Sequence, residues 1–326
     1  MIAALEFAGL FDLQVNGFAG VDFNAPGLTA DAVSSALERM RATGVTRCLP
    51  TLISSSFEHF AANARVLARL NAPAIAGIHM EGPYIAAADG PRGAHPLDHL
   101  QRPTIDDFRR RQEAADGQIV LVTLAPELPG AVRLIEHLVA GGVRVALGHT
   151  DATPQQIADA VAAGATLATH LGNGCAHMLP RHPNVIWELL AADTLLASLI
   201  VDGHHLPRAT VTAMVRAKTA ARTILVTDAV AAAACAAGVY VLDGVPCEIS
   251  PDGRVSLPGT PYLAGSSLTL DRAIANTVQF TGLPIETVIP MASTIPASYL
   301  GMTTLGRVAA NWDPDTCELH IRDVMA

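Results

Sequence analysis

Strand-like and helix-like patterns alternate along this chain from one end to the other, and no linker or low-complexity run interrupts them. Such alternation marks a parallel sheet whose strands are joined by crossover helices. Eight apolar stretches read as strands: Leu10 to Val15, Arg47 to Ile53, Ala74 to Glu81, Ile119 to Leu124, Val143 to His149, Thr166 to Leu171, Leu195 to Val201 and Thr223 to Thr227. Amphipathic stretches follow most of them, clearest in DAVSSALERMRATG, FAANARVLARLN and TPQQIADAVAAG. The last carries a capping box, with Thr153 as N-cap, Pro154 at the first helical position and Gln156 two further on. Gly44, Gly141 and Gly164 stand where a left-handed residue is needed to end a helix. Eight such units predict an α/β chain folded as a (β/α)8 TIM barrel. Its 326 residues accommodate a barrel of about 250 residues and a small appendage.

In that fold chemistry belongs at the C-terminal ends of the strands. Read in order, those ends carry Gln14 and Asn16, Thr51, Glu81, the Pro126-Glu127 corner, His149, His170, His205 and Asp228. Residues drawn from so many strands would point into one mouth. Glu81 is the most demanding of them, because it closes the apolar run AIAGIHM and is followed at once by Gly-Pro. A carboxylate in such a place needs a cation or a proton. Arg92 is one available cation. A metal is another, because one carboxylate and two imidazoles, Glu81 with His149 and His170, suit a zinc or iron(II) ion with open positions. Asp228 in ILVTDAV ends the last strand, where it reads equally as a general acid/base or as a helix N-cap.

Bulk composition narrows the field further. Half of the residues are hydrophobic and 16% are charged, enough for a large core and too little charge for extended disorder. The net charge of -9 and the lack of any basic run argue against nucleic acid or an anionic membrane as a partner. Five cysteines with no CxxC pair suggest neither a disulfide framework nor a thiolate zinc site, and a reducing cytoplasm is expected. The start of the chain lacks a basic leader, and the longest apolar run, Ala229 to Leu242, is too short to span a bilayer.

The residues also carry a resemblance. HMEGPYI followed by Arg-Gly-Ala-His at 92–95, GHTDAT at 148–153, THLGNG at 169–174, VDGHHL at 201–206, LVTDAV at 225–230 and LAGSSLTLDRA at 263–273 resemble the amidohydrolase superfamily. Within it the pattern is most similar to the N-acetylglucosamine-6-phosphate deacetylase family, in the same order and over residues 10 to 300. The resemblance implies a barrel of the metal-dependent hydrolase type, with Glu81, His149 and His170 holding one divalent ion and Asp228 as catalytic acid/base. Zinc is the ion expected, with iron or manganese compatible with the same ligands. It implies that His95 and His205 contact substrate, that Asn173 and the backbone of Gly174 touch the sugar phosphate, and that Arg181 reaches the phosphate across a homodimer interface. Arg181 in LPRHPN also reads as a solvated loop charge, and His204 beside His205 leaves open which ring faces the site. Gln14 and Asn16 stand where many amidohydrolases place a His-x-His pair; neutral amides are poor zinc ligands, so the second metal position should be vacant or filled by water.

The reaction so implied is deacetylation of N-acetylglucosamine 6-phosphate to glucosamine 6-phosphate and acetate. A different N-acyl or cyclic amide is the alternative, motivated by Gly172, Gly174 and Cys175 in the segment after His170. A non-catalytic sugar-phosphate binder is a third reading. The expected domains are a catalytic barrel over 8–300 with a hairpin excursion at about 238–258, and a remnant at 301–326 of a small β-domain that is otherwise largely missing. A reduced appendage would leave apolar surface for a second copy to cover.

Overall fold

The computed structural model describes residues 2–242, 245–260 and 263–325. Eight parallel strands form one sheet, here numbered β1 Leu10–Val15, β2 Val45–Leu52, β3 Ile78–Glu81, β4 Ile119–Leu124, β5 Arg144–Leu147, β6 Leu167–Ala168, β7 Leu196–Leu199 and β8 Thr223–Leu225. Their order in the sheet is their order in the chain. A parallel bridge between Val15 and Ala229 ties the first strand to the residues just past the last, and that link closes the sheet into the expected (β/α)8 barrel. The accompanying helices are α1 Ala30–Arg41, α2 Phe57–Arg69, α3 Ile105–Ala114, α4 Ala131–Ala140, α5 Pro154–Ala162, α6 Val185–Ala191, α7 Arg208–Lys218 and α8 Leu270–Thr281. None of the described helices is long and apolar enough to cross a membrane.

Several strands are shorter than their apolar runs. Ala74 to Glu81 reads as one strand, yet the regular ladder holds only over Ile78–Glu81. The break falls at Gly77, whose φ of +143° side chains rarely adopt, and where a Cβ would lie 2.6 Å from Val120 Cγ2. A ladder cannot run straight through that residue.

Two compact units make up the chain. One comprises Thr51–Leu70 and Gly77–Leu199, and so holds β3 to β7 with α2 to α6. Its helices begin on side-chain caps: Ser56 accepts from the His59 N–H at 3.2 Å and Thr104 from that of Asp107 at 3.2 Å. The capping box of α5 forms as expected, with Thr153 Oγ1 accepting from the Gln156 N–H and Gln156 Oε1 from the Thr153 N–H. The apolar stripe of α4, Leu134, Ile135 and Leu138, is buried.

The other unit comprises Met1–Pro50, Asn71–Ala76 and Ile200–Ala326. It holds β1, β8, α1, α7 and α8. A three-stranded antiparallel sheet joins Ala3–Ala8 to Arg307–Asp313 and that strand to Glu318–Met325, so both termini contribute. Ala3–Ala8 is an element that the sequence reading leaves unassigned. The excursion after β8 is larger than a hairpin at 238–258: four antiparallel strands, Gly238–Leu242, Val245–Ile249, Arg254–Ser256 and Leu263–Ser266, lie over a small core of Ala232, Cys247, Ile249 and Val255. Positions 243 and 244 of that excursion, and position 326 of the C-terminal segment, lie outside the described residues.

Of the three glycines expected to end helices in the left-handed region, Gly44 and Gly164 do, with φ of +89° and +109°. Gly141 does not. It has φ of -84°, and the left-handed residue after α4 is its neighbour Gly142 at +78°. Two consecutive glycines offer the turn a choice that sequence alone leaves undecided. Gly142→Ala should therefore lower the unfolding free energy by about 1 kcal/mol, while Gly141→Ala is neutral or slightly stabilising. Urea denaturation of the two variants checks this, and equal losses would contradict the assignment.

Candidate active site

On β3, His79 and Glu81 are two residues apart and share a face of the strand. The chain then turns sharply. Gly82 has φ of +75°, and a Cβ there would sit 2.3 Å from Ser54 Oγ. Beyond the turn, the Tyr84 hydroxyl donates to Asp107 Oδ2 at 2.7 Å, and Arg111 Nε donates to the same oxygen at 2.8 Å. Arg111 itself is fully buried, so the loop that follows Glu81 is anchored to α3 by an interior ion pair.

His149 and His170 follow β5 and β6, with φ of +52° and +29°. Non-glycine residues occupy that region at a cost and persist there only where their surroundings enforce it. Here both rings reach Glu81. His149 Nε2 lies 3.2 Å and His170 Nε2 3.0 Å from Glu81 Oε1, and the two nitrogens are 3.0 Å apart. Three atoms bound to one tetrahedral ion at about 2.1 Å would be about 3.4 Å from each other, close to this spacing.

The donor chemistry tests whether a metal fits. His149 Nδ1 is 2.8 Å from the Pro91 carbonyl, which accepts but cannot donate. In the neutral ring the proton therefore sits on Nδ1, which directs the Nε2 lone pair at the cluster. A lone pair facing a carboxylate and a second imidazole is a ligand set for a cation. Glu81 is pushed up by burial, but the hydrogen bonds and charge that His149 and His170 bring when their rings are protonated outweigh this and hold it well below the usual carboxylate range. Arg92 is not its partner: that guanidinium pairs with Asp89 and donates to the His95 carbonyl.

His95 also comes to this cluster. Its ring meets that of His149 edge-on with centroids 4.4 Å apart, and one ligand atom from each of Glu81, His95 and His149 falls within a 4.8 Å group. The tighter set is nevertheless Glu81, His149 and His170. The Ser54 N–H donates to His95 Nδ1, so in the neutral ring the proton sits on Nε2, 4.0 Å from Glu81 Oε2. That atom is a donor. Burial, reinforced by the neighbouring His149, pushes His95 down to about 3, so the ring is neutral at ordinary pH.

The strands beneath are joined by polar contacts that the sequence reading misses. His79 Nε2 is 2.8 Å from Thr123 Oγ1, which is 2.7 Å from Thr169 Oγ1, and His79 Nδ1 is 3.4 Å from Thr51 Oγ1. The available signal is the two-residue spacing of His79 from Glu81. Glu127, expected to stand at the mouth, instead braces the loop after His149, where it accepts from Thr150 Oγ1 at 2.5 Å and the Asp151 N–H at 2.8 Å. Asn173 holds the His170 carbonyl through its backbone N–H and Nδ2, at 2.9 and 3.2 Å. Gly174 is set by close approach: with φ of +56°, its Cβ would lie 3.0 Å from His149 Nδ1. Arg181 is exposed on the loop leading to α6.

In the other unit, Asp228 has φ of +47°. The N-cap reading fails, because the residues after Asp228 form a bridge and a turn, and the next helix is α8. Asn16 Nδ2 donates to Asp228 Oδ1 at 2.7 Å, and the Asp228 N–H donates to the Gln14 carbonyl at 2.9 Å. Gln14 is buried. Asp12, on the same strand face, is completely buried and accepts from Thr227 Oγ1 at 2.5 Å, from the Thr227 N–H at 3.3 Å and from the Gln14 N–H at 3.2 Å. His205 Nδ1 is 2.5 Å from Asp202 Oδ2; burial pushes Asp202 up, but this contact and the backbone N–H groups of His204 and His205 hold it below its ordinary value. His204 turns elsewhere: its Nε2 is 3.3 Å from the Asp252 carbonyl, at the edge of a cavity of about 310 Å³.

Comparison with known proteins places these residues in context. Residues 7–317 match the amidohydrolase family. The chain is 32% identical over 316 residues to the N-acetylglucosamine-6-phosphate deacetylase of Lysinibacillus sphaericus, covering 94% of this chain and 79% of that protein. It is 34% identical over 308 residues to the N-acetylgalactosamine-6-phosphate deacetylase of Escherichia coli O157:H7, covering 92% and 79%. Among solved structures, the N-acetyl-D-glucosamine-6-phosphate deacetylase of Mycobacterium smegmatis superposes with a TM-score of 0.89 at 31% identity, over 99% of this chain and 86% of that one.

Burial pushes Asp12 up to about 7, although three hydrogen bonds oppose it. The folded value thus lies above the unfolded one, near 3.9, and the stability linked to Asp12 is fully present below about pH 4 and is lost as pH rises through about 7. The unfolding free energy of the wild type minus that of Asp12→Asn should then fall by on the order of 2 kcal/mol between about pH 5 and pH 8. Urea denaturation at both pH values measures it; a constant difference would mean that the carboxyl titrates normally.

Proposed function

Because this chain belongs to the amidohydrolase family and is a hydrolase of carbon–nitrogen bonds, we propose that it removes the acetyl group from N-acetylglucosamine 6-phosphate, giving glucosamine 6-phosphate and acetate. One observation carries the reading: Glu81 Oε1, His149 Nε2 and His170 Nε2 converge to within 3.0–3.2 Å at the ends of three strands. They do so in a chain matching deacetylases over more than nine-tenths of its length.

In this reading Glu81, His149 and His170 hold one divalent ion, with zinc proposed because imidazole and carboxylate donors suit it. When bound, the ion supplies Lewis acidity, which polarises the acyl carbonyl and makes water easier to deprotonate. Asp228 takes the proton from the attacking water as the new carbon–oxygen bond forms. It returns that proton to the amide nitrogen as the carbon–nitrogen bond breaks, so the amine leaves neutral. Asn16 fixes the rotation of the Asp228 carboxyl, a task that supports leaving no second metal at Gln14 and Asn16. His95, neutral and protonated on Nε2, donates a hydrogen bond to the acyl oxygen as charge develops there.

The sugar phosphate is assigned to His205, Asn173 and the backbone of Gly174, and to Arg181 supplied from a second copy in a homodimer. Met178 and Trp187, on either side of Arg181 in sequence, are 89% and 54% exposed, apolar surface that a second chain would cover. A guanidinium offers phosphate a forked pair of donors. A cytoplasmic location accords with five free cysteines.

Acetate release from metal-replete protein tests the proposal, with the 4-epimer, N-acetylgalactosamine 6-phosphate, and the unphosphorylated sugar as competitors. Elemental analysis should find about one divalent ion per chain. Glu81→Gln should lose ion and activity together, while Asp228→Asn should keep the ion and lose about 10²- to 10⁴-fold in kcat. No acetate release from any of these sugars would overturn the substrate assignment; an unaltered rate in Asp228→Asn would overturn the acid/base.

A further inference from the structure

A fully buried carboxyl group with no cationic contact among the described residues needs a reason to be there, and Asp12 is one. Every one of its hydrogen bonds goes to β1 or to Thr227, the residue before Asp228. The Thr227 hydroxyl donates to Asp12 Oδ2 and accepts from the Ala229 N–H at 3.1 Å, so a single oxygen ties together the residues on both sides of Asp228. The clamp continues along the same strand. The Gln14 carbonyl accepts from the Asp228 N–H at 2.9 Å, and the Asn16 and Gly17 N–H groups donate to the Ala229 carbonyl at 2.7 and 3.0 Å. Between these fixed points Asp228 sits at φ +47°, a conformation costing on the order of 1–3 kcal/mol that its surroundings must impose.

We infer that Asp12 is a positioning residue for Asp228: through the Thr227 hydroxyl it locks the strained backbone that presents the Asp228 carboxyl to Asn16 and to the reaction. Residues 12, 14 and 16 are spaced by two, so β1 and the residue just past it act as a bracket whose deepest and only ionisable member is Asp12. The bond is suited to the task. A hydroxyl donating to an interior carboxyl oxygen makes a short bond, and in a dry interior it has no competing water.

This inference rests on Asp228 being the acid/base proposed above. Its test uses the metal-loaded protein and acetate release from N-acetylglucosamine 6-phosphate, with Asp12→Asn, Thr227→Val, Thr227→Ser, the Asp12→Asn/Thr227→Val pair and Asp228→Asn. Asp12→Asn and Thr227→Val should each lower kcat by about 10²-fold with KM changed less than about threefold. Metal content should be unchanged, the double variant should be no worse than the poorer single one, and Thr227→Ser, which keeps the hydroxyl, should recover to within about threefold of wild type. A kcat within about threefold of wild type in both Asp12→Asn and Thr227→Val, beside an inactive Asp228→Asn, would overturn this inference alone. So would losses that appear in KM or metal content, or that multiply in the double variant. A wild type that releases no acetate, or a fully active Asp228→Asn, would bring down the catalytic reading and this inference with it. If Asp12→Asn does not fold, Thr227→Val against Thr227→Ser decides the matter.

Discussion

The contact between Glu81 and the two imidazoles of His149 and His170 is the constraint on which this molecule turns. An interior carboxylate and two ring nitrogens within 3.2 Å of one another are unfavourable company unless positive charge is shared among them. The tautomer of His149 sharpens that requirement, because the Pro91 carbonyl has already claimed its Nδ1 proton. A buried ion pair elsewhere, such as Asp107 with Arg111, resolves the same problem within the protein and yields structure. Among the described residues the Glu81 cluster has no Arg or Lys in that role, and its three donor atoms face one another at a spacing that a divalent cation would suit.

Holding that cluster requires backbone that a barrel strand does not supply. His149 and His170 are left-handed, each two residues beyond the ladder of its strand, and in the other unit Asp228 is left-handed three residues beyond its own. The change of hand takes each residue out of the alternating inward and outward pattern. Each is then braced: the His170 N–H by Ser198 Oγ at 2.8 Å, the His149 carbonyl by the Ala86 N–H at 3.0 Å, and the Asp228 N–H by the Gln14 carbonyl. Strain of this kind is found where geometry is needed more than stability.

Glycine completes the arrangement by allowing close approach. Gly174 leaves room beside His149, and Gly82 lets the turn after Glu81 close over Ser54. Gly174, one of the residues that motivate a different substrate when read as sequence, thus has a nearer explanation in the packing of a histidine.

The alternation of patterns, the order of the strands, the capping box of α5 and the identity of the polar residues at strand ends were all legible in the sequence, because periodicity and capping are local properties. So were Glu81, His149 and His170, since charged and imidazole groups at the ends of apolar runs demand explanation whatever the fold, whereas His95 came only from the resemblance to the deacetylases. The left-handed choice between Gly141 and Gly142, the different directions of His204 and His205, and the use of Glu127 as a loop brace were decided only in three dimensions. So were the polar links of His79 and the grip of Asp12 on Thr227. Each depends on which atoms lie within about 3 Å of one another after distant segments have met, and spacing along a chain carries no record of that distance.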